Sequence, residues 1–174
     1  MEKGYVQIYT GDGKGKTTAA LGLALRCAGR GNRVLIVQLM KAMDSGELAP
    51  LKQIAGIEVM RVCQTARFSF EWTPEDRARE RRNAQEALAD IQKRMPIDID
   101  LLILDEALGA ISAGVLTEQE VLDVIAGKPD QVEIVLTGRD CPAALKKRAD
   151  LITEMRPEKH YMTCGVKARK GIEY

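Results

Sequence analysis

A glycine-rich segment near the amino terminus combines residue types that bind nucleotide phosphates. Residues 10–18 (TGDGKGKTT) lie between a β-rich stretch and a run of helix formers. The glycines let several backbone N–H groups point into one concavity, and Lys16 at a helix start adds positive charge. Thr17 offers a hydroxyl to Mg²⁺. We therefore expect a phosphate-binding loop rather than a glycine-rich connection with an incidental lysine, and its predicted nucleotide-binding residues are Gly11, Asp12, Gly13, Lys14, Gly15, Lys16, Thr17 and Thr18.

One position of this loop departs from the common pattern G-x-x-x-x-G-K-[ST]. The first glycine of that pattern would fall where this chain has Thr10, and the nearest glycine is Gly11. We therefore expect the loop to hold a triphosphate differently from the loop of an ordinary ATPase.

A pair of acidic residues ends an apolar run at residues 101–106 (LLILDE). This pattern matches the Walker B strand, which brings a carboxylate to Mg²⁺ beside the loop lysine. Adjacent buried carboxylates are costly unless a cation or hydrogen-bond donors offset them. Asp105 and Glu106 are therefore predicted metal ligands together with Thr17, and the alternative is a plain strand end.

Other polar residues follow predicted strands. Arg139 follows the strand at 132–137, where its guanidinium can reach phosphate or simply pair with Asp140. Gln38 and Lys41 end the apolar run at 34–40, where open α/β sheets bind ligands. For these two residues a ligand role and a plain strand cap remain equally open.

The aromatic residues are concentrated in one window. Residues 68–72 (FSFEW) hold both phenylalanines and the only tryptophan of the chain. In an extended segment, alternation would place Phe68, Phe70 and Trp72 on one side. Spacing alone favours a small hydrophobic plug under a loop.

The elements that position these residues alternate along the chain. The pattern predicts strands near 5–9, 34–40, 57–62, 101–104, 132–137 and 151–155, and helices after the loop and near 48–54, 73–95, 117–126 and from Pro142. Right-handed crossovers then favour a parallel sheet. We expect an α/β, P-loop NTPase-like (RecA-like) fold, with a mostly parallel sheet of about six strands flanked by helices. Its 174 residues predict a single domain, 1–174.

Composition excludes several functions. A formal net charge of +1 gives no field that attracts nucleic acid, and no run is apolar enough for a signal or a membrane span. The four cysteines are scattered, which favours free thiols in a cytoplasmic protein over metal ligands. The only histidine, His160, is expected to be structural.

Taken together, these motifs resemble the bacterial P-loop type of cob(I)alamin adenosyltransferase, also called ATP:corrinoid adenosyltransferase. The resemblance covers essentially the whole chain and is carried by residues 10–20, 104–106 and 137–139 and, most specifically, by the tail segments 154–160 (EMRPEKH), 165–168 (GVKA) and 171–174 (GIEY). We expect the tail, 156–174, to pack near the active site.

The resemblance implies transfer of the 5′-deoxyadenosyl group of ATP to the cobalt of a cob(I) corrinoid, with release of triphosphate. In that family the loop holds ATP reversed, which suits the missing first glycine. Lys16 would neutralise the departing triphosphate, and Thr17 and Glu106 would hold Mg²⁺ with Asp105 in or near its shell. Phe70 and Trp72 match the family's aromatic pair below the corrin ring, where they exclude the lower axial ligand.

The same resemblance implies partners. A reductase such as a flavoprotein would reduce four-coordinate Co(II), and the protein would be a homodimer. Members of that family often carry an N-terminal helical extension that covers the partner's site. This chain begins just before its first predicted strand, so the presence of that lid, and with it the strength of corrinoid binding, stays open at this point.

Two other classes of protein remain as alternatives. One is an ATP-hydrolysing RecA-like P-loop protein in which Glu106 orients water, and the other is a corrinoid or nucleotide carrier without turnover. The three differ in product, which is triphosphate, ADP with phosphate, or none.

Overall fold

One sheet organises the protein in the computed structural model, which describes residues 2–174. Its six strands have the order β3-β2-β4-β5-β1-β6, and every pairing is parallel. The strands are β1 (Val6–Thr10), β2 (Val34–Gln38), β3 (Ile57–Arg61), β4 (Leu101–Asp105), β5 (Glu133–Thr137) and β6 (Leu151–Glu154). The predicted α/β fold with a parallel sheet is confirmed.

Helices cover both faces of this sheet. They are α1 (Lys16–Ala28), α2 (Leu48–Leu51), α3 (Pro74–Asp98), α4 (Ala107–Ser112), α5 (Glu118–Ala126) and α6 (Ala143–Arg148). Ala20 and Ala24 of α1 pack with Leu51 of α2 on one face, whereas α3 to α6 contribute to the buried cluster on the other. Every residue of β2, β4 and β5 is buried, as expected for central parallel strands covered on both sides.

Some elements differ from those predicted. Helix α3 begins where a helix was predicted, with the Thr73 hydroxyl as a cap that accepts from the Asp76 N–H, but it continues through Pro96 to Asp98. Helix α4 was not expected, because only six residues follow the acidic pair before the chain turns. A 3-10 helix at Tyr161–Cys164 gives local structure to a tail that could be read as a disordered end.

The parallel arrangement brings the segments that follow the six strands to one edge of the sheet. At the carboxyl ends of the strands lie the phosphate loop after β1, residues 39–47 after β2, residues 62–72 after β3, Glu106 after β4, Arg139 after β5 and the tail after β6. Within residues 2–174, no helix is long and apolar enough to cross a membrane. The four cysteines are free thiols.

Candidate active site

The glycines of the phosphate loop permit close contact with the chain leaving β6. A Cβ at Gly11, where φ is +97°, would lie 2.5 Å from the Met155 carbonyl oxygen, and one at Gly13 would lie 2.6 Å from it. The Gly13 N–H donates to that same oxygen at 2.7 Å. Side chains are therefore excluded from both positions by the neighbouring backbone. Thr10, at the position of the missing first glycine, is the buried last residue of β1, and its carbonyl accepts from the Met155 N–H.

Lys16 begins helix α1 directly after Gly15 and faces a large cavity. The cavity has a volume of about 960 Å³, and its walls include Lys16, Thr17, Thr18, Lys41, Glu106 and Arg139. The Lys16 Nζ donates to the carbonyl oxygens of Gly11 and Gly13 at 2.6 and 2.7 Å. Burial, and then the positive charge of Arg139, lowers the pKa of Lys16. The amino end of α1 has no acidic residue in its first turn, so positive potential accumulates at this wall.

The acidic pair lies beside the loop. Asp105 is only 1% exposed, and its Oδ1 accepts from both the Thr17 and the Thr137 hydroxyls at 2.8 Å. Glu106 has a left-handed backbone, with φ of 62°, and its N–H donates to the Thr137 hydroxyl oxygen. Burial, and then the charge of Asp105, raises the pKa of the Glu106 carboxyl. The fold therefore brings Thr17, Asp105 and Glu106 together.

These three residues fit a magnesium ion that also binds phosphate. The Asp105 Oδ2 is buried and accepts no hydrogen bond from the described residues, and the Thr17 hydroxyl keeps lone pairs while donating its proton. Residues 2–174 contain no group of three or more His, Cys, Asp or Glu that could hold a metal by itself. Mg²⁺ typically uses one or two carboxylates, with phosphate and water supplying the remaining ligands.

Lys41 places a cation at the same acidic pair. Its Nζ lies 3.3 Å from the Asp105 Oδ2 and 3.4 Å from the Glu47 carboxylate, within ion-pair distance of both. Burial opposes the charge on Lys41, but Asp105, Glu47 and Glu106 outweigh it and raise its pKa. Lys41 thus lines the cavity as a permanent positive charge.

Arg139 extends from the other side of the loop. Its Nε lies 3.6 Å from the Asp12 carboxylate, and both side chains are mostly exposed. Arg139 therefore pairs with Asp12 of the phosphate loop and not with its sequence neighbour Asp140. An exposed pair of this kind is weak, so the guanidinium can turn toward an anionic ligand.

Lys14 connects the loop to the tail. Its Nζ donates to the Glu173 carboxylate at 2.7 Å, to the Ile172 carbonyl at 3.0 Å and to the Tyr161 hydroxyl at 3.2 Å. Glu173 also pairs with Arg169 and accepts from the Tyr161 hydroxyl. These hydrogen bonds hold the pKa of Glu173 well below its ordinary value. The tail residues at 171–174 consequently form part of the cavity wall.

The aromatic window does not form an extended segment. Ser69–Glu71 is a turn of 3-10 helix, so the expectation that alternation puts all three rings on one side is wrong. Phe68 and Phe70 stack at 5.4 Å and are 63% and 79% exposed, whereas Trp72 is 6% exposed and donates its indole N–H to the Arg67 carbonyl. The structure therefore presents Phe68 beside Phe70 and buries Trp72.

Sequence reasoning missed several residues at this edge. Thr137 holds the acidic pair, and its position at a buried strand end next to β4 was the available signal. Tyr161 and Glu173 lie in the tail that was expected to pack near the active site, but neither was predicted as a site residue, because their partner Lys14 lies more than 140 residues away.

A glycine-rich loop and a carboxylate strand at the ends of a parallel sheet define a P-loop nucleotide-binding protein. A solved structure, that of EssC (ATPases 2 and 3) from Geobacillus thermodenitrificans, aligns with a TM-score of 0.53 at 13% identity. The alignment covers 96% of this chain and 35% of that one, and at this identity it shows the fold alone.

The family is shown by sequence. The model of the family described as ATP:corrinoid adenosyltransferase BtuR/CobO/CobP matches residues 2–174. Corrinoid adenosyltransferases of Escherichia coli and Salmonella typhimurium are 34% identical, with 99% of this chain and 87% of each relative aligned. The Pseudomonas aeruginosa protein of the same name is 33% identical over 99% of this chain and 85% of its own. This chain belongs to the ATP:corrinoid adenosyltransferase family, and it is an enzyme of ATP-dependent adenosyl transfer to a corrinoid.

Proposed function

We propose that the enzyme transfers the 5′-deoxyadenosyl group of ATP to the cobalt of a reduced cob(I) corrinoid and releases intact triphosphate. The observation that carries this proposal is one cavity whose wall holds both the loop lysine, Lys16, and Glu106, with Asp105 hydrogen-bonded directly behind it to Thr17 of the same wall. Such a wall suits a polyanion bound with a divalent cation.

The chemistry requires positioning more than acid–base catalysis. Cob(I) is itself a strong nucleophile, so its electron pair forms the Co–C bond at the ribose C5′. The C5′–O bond breaks at the same time, and its electron pair leaves with triphosphate. The protein stabilises that departing charge with Lys16, the loop amides and Arg139, while the walls of the cavity fix the position of C5′.

Thr17 and Glu106 would hold Mg²⁺, with Asp105 in or near its shell. Asp105 accepts a hydrogen bond from the Thr17 hydroxyl, which leaves a lone pair of that hydroxyl free to face a metal. When bound, Mg²⁺ neutralises part of the triphosphate charge. Thr18 and Asp12, also on the cavity wall, complete the nucleotide-binding loop in this proposal.

Phe70 and Trp72 would lie below the corrin ring and keep its lower axial ligand away. Phe70 is exposed for that contact, whereas Trp72 is buried and donates its indole N–H to the Arg67 carbonyl, so Phe70 is the ring that a ligand can contact directly. We place the enzyme in the cytoplasm as a homodimer that accepts electrons from a reductase such as a flavoprotein, with no part for nucleic acid or membrane. Its single domain comprises residues 1–174, and the tail, 156–174, serves the active site through the contact of Glu173 with Lys14.

The products of the reaction test this proposal. With ATP, Mg²⁺ and chemically reduced cob(I)alamin under anaerobic conditions, we expect one triphosphate for each Co–C bond formed. Chromatography of the nucleotides and absorption spectra of the corrinoid measure the two products. Formation of ADP without corrinoid at a comparable rate would instead indicate an ATPase.

The tail gives a second prediction. Glu173→Gln should raise the KM for ATP by about two- to fivefold, because the variant loses the charge that holds Lys14 and Arg169. The effect should be this small because both ion pairs are partly exposed to solvent. We expect kcat to change less, since the leaving-group contacts remain. Steady-state kinetics with ATP as the varied substrate provide the measurement. Glu158→Gln, an exposed tail carboxylate, is the matched control; equal effects of the two variants would rule out a specific tail contact.

A further inference from the structure

We propose that Gln38 is a further residue of the metal site, where its side-chain amide binds a water molecule on the Mg²⁺ that accompanies ATP. The role of Gln38 rests on the proposed function, which supplies that ion. Gln38 is the last residue of β2 and is 1% exposed. Neither its Nε2 nor its Oε1 has a hydrogen-bond partner among residues 2–174. A buried amide without partners is costly, so a ligand that satisfies it is expected.

The position of Gln38 in the sheet places this amide next to Asp105. The two residues are partners in the register of β2 and β4. They also share the α1 face of the sheet, because the residues two and four positions earlier on both strands pack with α1; these are Val34, Ile36, Leu101 and Ile103. The same face carries the Thr17 contact with Asp105. Gln38 therefore lies beside the acidic pair at the edge that carries the phosphate loop.

Asp105 has an unsatisfied atom of its own. Its Oδ1 accepts from Thr17 and Thr137, but its Oδ2 accepts no hydrogen bond from the described residues and has only the Lys41 ammonium 3.3 Å away. Two neighbouring strand ends thus each carry a buried polar group without a hydrogen bond. Unsatisfied buried polar groups usually have an ordered water or an ion as partner, and a hydrated cation would supply both.

The chemistry of Mg²⁺ accounts for the two unsatisfied oxygen atoms, the Asp105 Oδ2 and the Gln38 Oε1. Mg²⁺ usually keeps several of its waters in protein sites. Those waters donate hydrogen bonds, which both oxygen atoms can accept. Because an amide is neutral and takes up no proton at physiological pH, Gln38 would orient a metal-bound water without activating it for hydrolysis. Gln38 is accordingly a positioning residue of the transfer reaction.

Gln38→Leu tests this role without breaking an internal hydrogen bond. The substitution removes both polar atoms from a site where they have no protein partner, so we expect the melting temperature to stay unchanged or rise. Outer-shell partners of metals typically contribute 10- to 100-fold to metal affinity. Electron paramagnetic resonance of free Mn²⁺, with ATP present and corrinoid absent, should therefore show Mn²⁺ binding weakened by about that factor.

Gln7→Leu is the matched control. Gln7 carries the same side chain on β1, but it donates to Glu133 and accepts from the Tyr9 hydroxyl. This control variant should lose thermal stability and keep the Mn²⁺ affinity of the wild type. Calorimetric titration of ATP in excess EDTA should give the same affinity for wild type and Gln38→Leu, because the proposed contact is to the metal's water.

The possible outcomes separate the explanations. Unchanged Mn²⁺ affinity in Gln38→Leu would show that the glutamine is structural, and weaker ATP binding in EDTA would show direct contact with phosphate. Either result overturns the role of Gln38. If wild type itself binds ATP equally with and without Mg²⁺, the proposed metal site fails, whereas triphosphate release is tested independently by product analysis.

Discussion

Lys16→Ala should lower kcat by about 10²- to 10³-fold, in addition to weakening ATP binding. The negative charge on the leaving triphosphate grows as the C5′–O bond breaks, so an ammonium beside it stabilises the transition state more than bound ATP. The cavity wall at Lys16 is partly buried, which strengthens that interaction relative to water. Initial rates with saturating ATP and chemically reduced cob(I)alamin measure kcat, and the dependence on ATP measures KM.

A control separates this effect from folding. Lys16 donates to the carbonyls of Gly11 and Gly13, so circular dichroism and the melting temperature of the variant must be compared with wild type. Lys93→Ala, on the exposed side of α3, removes the same charge far from the loop and should keep wild-type kinetics. A normal kcat for Lys16→Ala at saturating ATP would mean that this lysine contributes only uniform binding.

The fold was predictable because its strongest signals are local. Apolar runs such as 101–104 are buried on both faces, and a central parallel strand needs little else to be recognised. The phosphate loop and the acidic pair were predictable for the same reason, since their residues follow one another in the chain. Parallel pairing then determines that both lie at the same edge.

The features that could not be predicted depend on specific polar contacts, which the alternation of side chains along a strand does not reveal. The aromatic window turns because the Phe68 N–H donates to the Glu71 carboxylate and the Trp72 indole donates to the Arg67 carbonyl. Such short-range polar contacts override the two-residue alternation expected of an extended segment. The tail contacts the phosphate loop through Glu173 and Lys14, a pairing across 159 positions that no local pattern indicates. Gln38 could be placed at a ligand edge from sequence, but its lack of partners is visible only in three dimensions.

Phe70→Ala and Trp72→Ala should slow the reaction most when Co(II) must be reduced on the protein. Both rings supply apolar faces and neither supplies an acid, a base or a phosphate ligand. If they keep the lower axial ligand away from cobalt, their loss hinders reduction, because a bound donor stabilises Co(II). With ready-made cob(I) the loss should be much smaller, since Lys16 and the acidic pair are intact. The two assays use the same variants with a mild reductant or with chemically reduced corrinoid.

Stability measurements distinguish the two rings. Trp72 is buried, so Trp72→Ala should lower the free energy of unfolding by about 3–5 kcal/mol, whereas Phe70→Ala, at 79% exposure, should change it by less than about 0.5 kcal/mol. Activities must therefore be compared where each variant is fully folded. Phe68→Ala, which removes the exposed ring stacked on Phe70, is the control outside the predicted pair.

Electron paramagnetic resonance should detect four-coordinate Co(II) on wild type with ATP and lose that signal in Phe70→Ala. Equal losses in the two assays would show that the rings serve folding or general corrinoid binding, because removing the lower ligand matters only before cobalt is reduced.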